Sequence, residues 1–170
     1  FQIGVDSLRT DRERRRLIVT ALDAMASGGV YDHLGGGFHR YSVDREWRVP
    51  HFEKMLYDQA RMVDLYRDAW LAFRDPRYRE TALGTLEYVR REMRSDGGAF
   101  FATQDADSEG HEGRFFAWSA DEIRTVSGPR DSEIVFAHFG VTEDGDFEGG
   151  NVLRIDTPLE EVARSRGRDL

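Results

Sequence analysis

Residues 35–70 read GGGFHRYSVDREWRVPHFEKMLYDQARMVDLYRDAW, a glycine-led loop that runs into a segment with helical periodicity. At 100° per residue Phe52, Met55, Gln59, Met62, Val63, Tyr66, Trp70 and Phe73 fall on one side, which predicts a core-facing helix from about Pro50, at the first helical position, to Arg74. On that wheel His51 and Asp58 lie two turns apart at one edge of the stripe, with Glu53 and Tyr57 on another side. A helix start offers unpaired N–H groups and a partial positive charge, so acidic side chains and polyhydroxyl or anionic ligands are favoured there. The expectation is an inner helix whose polar flanks line a cavity.

On the amino-terminal side, residues 6–27 read as a first helix, capped by Asp6 or Ser7 and stopped by Ser27-Gly28-Gly29. Phe38 to Val43 and Trp47 to Val49 predict a hairpin around Asp44-Arg45. On the carboxyl side, Asp75-Pro76 opens a third helix to about Arg94, with Tyr78, Ala82, Leu86, Val89 and Met93 buried. AFFAT (99–103) against RFFAW (114–118) predicts a second hairpin enclosing QDADSEGHEG. Ser119 with Glu122 makes a capping box for a helix to about Ser127, Ser132 to Phe139 is helical again, and Thr157-Pro158 starts a final helix. Helix, decorated loop and helix recur about sixty residues apart, the grammar of an array of helical hairpins. The fold class expected is all-α with two small β-hairpins, in one domain over residues 1–170.

Composition narrows the functions. The net charge of −8 argues against a nucleic-acid partner, which needs a clustered basic face; the basic run Arg12 to Arg16 is interleaved with Glu13 and reads as a solvated helix face. No run approaches the ~20 apolar residues of a membrane span, and the first residues lack a signal-peptide pattern, so no membrane partner and a cytoplasmic location are expected. With no cysteine there is no thiol chemistry in this chain. Of its 24 basic residues only Lys54 is a lysine.

The candidate catalytic residues are His51, Asp58, Asp105 and Asp107. His51 suits a general base or sugar ligand near neutral pH, or a structural histidine bonded to its own loop. Asp58 is a cavity carboxylate or the i, i+4 partner of Lys54. Asp105, Asp107 and Glu112 form the densest acidic loop, and two carboxylates held close would raise one pKa and supply an acid and base pair. The same loop resembles the head of a calcium site, but its twelfth position is Phe116, which excludes an EF-hand; no metal and no cofactor are expected. Arg40, Glu53, Tyr57, Trp47, Gln104 and Trp118 are the candidate substrate-binding residues. Arg40 would clamp an anionic group or pin its hairpin to Glu53 or Asp58, while Trp47 and Trp118 would stack on sugar rings or form core.

The stretches GGVYDHLGGGFHRYSVDREWRVPHFEKMLYDQA, GGAFFATQDADSEGHEGRFFAWSADEI and EGGNVL resemble the family of thioredoxin-domain-containing proteins related to the spermatogenesis-associated protein. The resemblance implies a partial (α/α)6 toroid, like those of the six-hairpin glycosidases and N-acylglucosamine 2-epimerases, with about three of six hairpins present. It also implies a thioredoxin-like domain as a partner. A carbohydrate-like small molecule would be the ligand, with His51 exchanging a proton beside a carbonyl in an epimerase or isomerase. The alternatives are a glycoside hydrolase and a non-catalytic helical scaffold. Three hairpins cannot close a ring, so a homodimer of the fragment is expected to cover the open ends.

Overall fold

The computed structural model describes residues 12–167. Helix dominates the regular structure: α1 (Arg12–Ser27), α2 (Leu56–Phe73), α3 (Pro76–Glu92), α4 (Ala120–Phe139) and α5 (Leu159–Ser165). The strands are two residues each and pair antiparallel, β1 (Tyr41–Ser42) with β2 (Pro50–His51), β3 (Lys54–Met55) with β4 (Thr103–Gln104), β5 (Asp107–Ser108) with β6 (His111–Glu112), and β7 (Ala117–Trp118) with β8 (Asn151–Val152). An all-α-dominated architecture with small strand pairs is therefore what the chain adopts. The expected caps of α1, Asp6 and Ser7, lie outside the described residues.

The core forms where α1, α2 and α3 meet. Leu22, Val30, Phe38, Leu65, Tyr66, Ala69, Tyr78 and Ala82 are buried together, with Met62, Trp70 and Phe73 of the expected stripe packed around them. Burying tyrosine requires a partner for its hydroxyl. Tyr66 donates to the Leu22 carbonyl at 2.8 Å and Tyr78 to Asp23 at 2.8 Å, so both fasten α1 to the helical pair behind it. A left-handed Arg74 ends α2, and Asp75 caps α3 by accepting from the Arg77 N–H with Pro76 in the first turn. Leu86, expected inside, is 49% exposed; the buried face of α3 runs instead through Tyr78, Thr81, Ala82, Thr85 and Tyr88.

Two expected elements are not formed as read. The second helix begins at Leu56 rather than Pro50, because Pro50–His51 pairs with Tyr41–Ser42 and Lys54–Met55 with Thr103–Gln104. His51 and Lys54 are therefore on strands and Glu53 lies between them, not on a helix. AFFAT does not pair with RFFAW: Thr103 joins β4, Ala117–Trp118 pairs with Asn151–Val152, and the hairpin in this region is the smaller one between Asp107 and Glu112. The first hairpin is present with its second strand shifted to Pro50–His51. Its turn is organised by the Asp44 carboxylate, which accepts from the N–H groups of Glu46, Arg48 and Val49. Ser119 and Glu122 form the expected capping box, and α4 is broken at Gly128-Pro129 between its two expected halves.

Candidate functional site

Extended backbone points successive side chains to opposite sides. From Pro50 to Met55 the burial alternates accordingly, with Pro50, Phe52 and Lys54 buried and His51, Glu53 and Met55 partly exposed. In the preceding chain His39 is buried and Arg40 exposed, and the two segments are joined by the Arg40 N–H to the Glu53 carbonyl at 2.8 Å. This partition separates an open polar face from an aromatic-walled cavity.

On the open face Arg40 Nη1 donates to Glu53 Oε2 at 2.7 Å, and the Thr103 hydroxyl reaches Glu53 Oε1 at 3.3 Å. The His51 side chain is 27% exposed, with Nδ1 2.6 Å from Glu112 Oε1, Nε2 3.7 Å from Glu53 Oε2, and the Tyr41 ring stacked at 5.0 Å. A carboxylate only accepts, so the proton of a neutral His51 lies on Nδ1 and the lone pair on Nε2 faces Glu53. Arg40 is held above its ordinary range by its bond to Glu53, and next by Tyr57. Asp58 is pushed up, first by burial and further by Glu53, against the pull of Arg40. Its Oδ2 is buried without a hydrogen-bond partner among the described residues.

Behind the partition lies a cavity of about 490 Å³, lined by Tyr31, Phe52, Tyr88, Phe116 and Trp118 together with Asp32, His39, Lys54 and Gln104. Lys54 crosses its floor. Nζ donates to Asp32 Oδ2 at 2.7 Å and to the Gly36 carbonyl at 2.9 Å, and sits 4.2 Å from the Tyr88 ring centre and 4.9 Å from that of Phe116. Asp32 Oδ1 accepts from the Leu34 and Gly35 N–H groups. Burial pushes the Asp32 carboxyl up, but the Lys54 charge and bond, the Gly35 N–H and His39 outweigh it and hold it below its ordinary value. Burial pulls Lys54 down against the attraction of Asp32. His39 is held down to about 3 by burial and then by the Lys54 charge, so it is neutral; its Nδ1–H donates to the Phe52 carbonyl at 3.0 Å, which leaves the lone pair on Nε2.

The structure thus brings Arg40, His51, Glu53, Tyr57 and Asp58 onto one face. Gln104 and Trp118 line the cavity instead, and Trp47 packs against the α1–α3 core. Asp105 and Asp107 are exposed, Asp105 Oδ1 accepts from the Asp107 N–H, and the loop reaches His51 through Glu112. The i, i+4 pair of Lys54 with Asp58 is also not formed, because Lys54 precedes α2 and turns inward to Asp32. Asp32, His39, Lys54 and Glu112 complete the two places without having been assigned there. Of these only Lys54 carried a signal in the sequence, as the one lysine of the chain. No group of three or more histidines or carboxylates among the described residues is placed to hold a metal ion, and no helix among them is long and apolar enough to cross a membrane.

No protein-family model matches the chain. It is 36% identical over 181 residues to spermatogenesis-associated protein 20 of Homo sapiens, covering 92% of this chain and 23% of that protein. The Mus musculus protein of the same name is 35% identical over 181 residues, with the same two coverages. An uncharacterized protein of Caenorhabditis elegans is 35% identical over 161 residues, 86% of this chain and 21% of that protein. The chain spans less than a quarter of the length of these relatives.

Proposed function

We propose that this chain is part of a carbohydrate-related enzyme of the spermatogenesis-associated protein family, and that the His51 face transfers a proton beside a sugar carbonyl, as an epimerase or isomerase requires. The observation that carries this reading is the Nδ1–H of His51 bound to Glu112 at 2.6 Å. A carboxylate at one ring nitrogen orients the imidazole and leaves the other nitrogen as the acceptor, the arrangement of a general base. Arg40 stands beside it, with guanidinium donors suited to a developing enolate oxygen. The remaining hairpins of an (α/α)6 toroid would wall this face, and a thioredoxin-like domain would dock elsewhere on the intact protein.

A second reading is favoured by the pairing of Arg40 with Glu53 and of His51 with Glu112, since side chains that satisfy one another also suit a non-catalytic scaffold. One experiment separates the two. The intact protein and its His51→Gln variant are assayed on a panel of sugars and sugar phosphates, with exchange of the substrate's α-proton into D2O as the readout. Loss of about 10² to 10⁴ in exchange rate with unchanged melting supports the enzyme. No exchange on any substrate, with both proteins equally folded, supports the scaffold.

A further inference from the structure

The cavity behind the partition is used by neither reading. Its charges cancel in pairs, Lys54 with Asp32 and, at the rim, Arg91 with Glu92, and burial keeps His33 and His39 neutral. What it offers a ligand is hydrogen bonding without charge. His39 is buried and its Nε2 lone pair has no partner among the described residues; Tyr88 donates to Gln104 Oε1 at 2.6 Å, and the Gln104 amide NH2 has no partner among them either. The acceptor and the donor line the same cavity as the rings of Phe52, Phe116 and Trp118. Aromatic faces with a few oriented polar groups are the make-up of small-molecule sites, whose volumes run from about 300 to 1,000 Å³. An apolar ligand would strand the two polar groups, and an ionic one would be desolvated with no countercharge left free.

We propose that this cavity is a second binding site, separate from the His51 face, for an uncharged ring bearing hydroxyl groups, with His39 Nε2 accepting from one hydroxyl and the Gln104 amide donating to another. The site shares with the functional reading above only its ligand chemistry, and it stands or falls on binding rather than turnover.

The test is calorimetric titration of the intact protein with D-glucose, D-mannose, D-galactose and N-acetyl-D-glucosamine, beside glucose 6-phosphate and glucuronate. The expected result is that at least one neutral sugar binds, and that the charged ones bind more than about tenfold more weakly. On binding, the ¹⁵N resonance of His39 Nε2 shifts as its lone pair accepts a hydroxyl proton. His39→Phe, which keeps an aromatic ring in place, weakens binding by about tenfold, and Gln104→Met does so independently. Binding of the charged sugars as tightly as the neutral ones, binding without a His39 shift, or no binding by any neutral sugar overturns the proposal. Turnover dependent on His51 with an empty cavity would leave the enzyme reading standing and remove this one; cavity binding without turnover does the reverse.

Discussion

The Lys54 ammonium meets the Asp32 carboxylate at 2.7 Å with only 1% of the lysine side chain exposed. Removing one member of such a pair leaves an uncompensated charge in a low-dielectric site, which costs about 3–5 kcal/mol. Lys54→Met is expected to lose that much in urea denaturation. Asp32→Asn in the same background should recover a large part of it, and a double-mutant cycle in which the two losses simply add would show that the pair is not coupled.

His39 gives stability a pH dependence whose sign follows from its depressed pKa. The folded state refuses the proton down to about 3, whereas the unfolded histidine takes it up near 6.5. Between those values the unfolded state binds more protons, so stability falls as pH falls, by about 1.4 kcal/mol per pH unit. Below the folded value no further loss comes from this group. His39→Phe should flatten the stability profile between pH 6 and 4, and a profile parallel to that of the unmodified protein would contradict the assignment. Lys54, Asp32 and His51 act electrostatically on His39, so the comparison is made at constant ionic strength.

Asp32 acts on the acid side as well. Its carboxyl is held below its ordinary value of 3.8, so its contribution is complete above that value and is lost as pH falls through the lower folded one. In Asp32→Asn the acid limb of the unfolding curve should become shallower, which circular dichroism between pH 5 and 2 will measure.

Gln59 holds both backbone groups of Phe38, accepting from its N–H at 2.7 Å and donating to its carbonyl at 2.7 Å, all buried. Gln59→Leu keeps the volume and strands two buried groups, at about 1–3 kcal/mol each. Gln59→Glu should be at least as costly, because it sets an acceptor against the Phe38 carbonyl. Chemical denaturation of the two variants decides it; a loss below 1 kcal/mol in both would show that water replaces the amide.

Gly37 has φ of +80°, and a Cβ there would lie 2.5 Å from Tyr88 Cδ1. Gly37→Ala therefore combines a left-handed backbone cost of about 1–2 kcal/mol with a clash against a core ring. Its melting temperature should drop clearly. Gly149→Ala is the matched control: it shares the positive φ, but its Cβ would meet nothing within 4 Å.

Local signals in the sequence carried the helices well. The capping box at Ser119, the stop after Ser27 and Asp75-Pro76 each act within a few residues and fall where they were read, and the break at Gly128-Pro129 lies in the gap read between Ser127 and Ser132. The stretch from Pro50 to Met55 was harder, because its proline suits a helix start and Phe52 and Met55 fit the stripe that follows. What overrides that reading is a pairing with Thr103–Gln104 far along the chain, and strands of two residues are too short to show a period. Clustering of Arg40, Glu53, Tyr57 and Asp58 was legible even so, since hairpin and helix start adjoin in sequence. The inward turn of Lys54 was not, because it depends on Asp32 waiting across the cavity.

The alternation from Pro50 to Met55 also makes length a constraint in its own right. Inserting or deleting a single residue there would carry His51 and Glu53 into the cavity and bring Phe52 and Lys54 out to the face. The two compartments therefore share one ruler: a substitution can retune either alone, but a change in spacing spoils both at once.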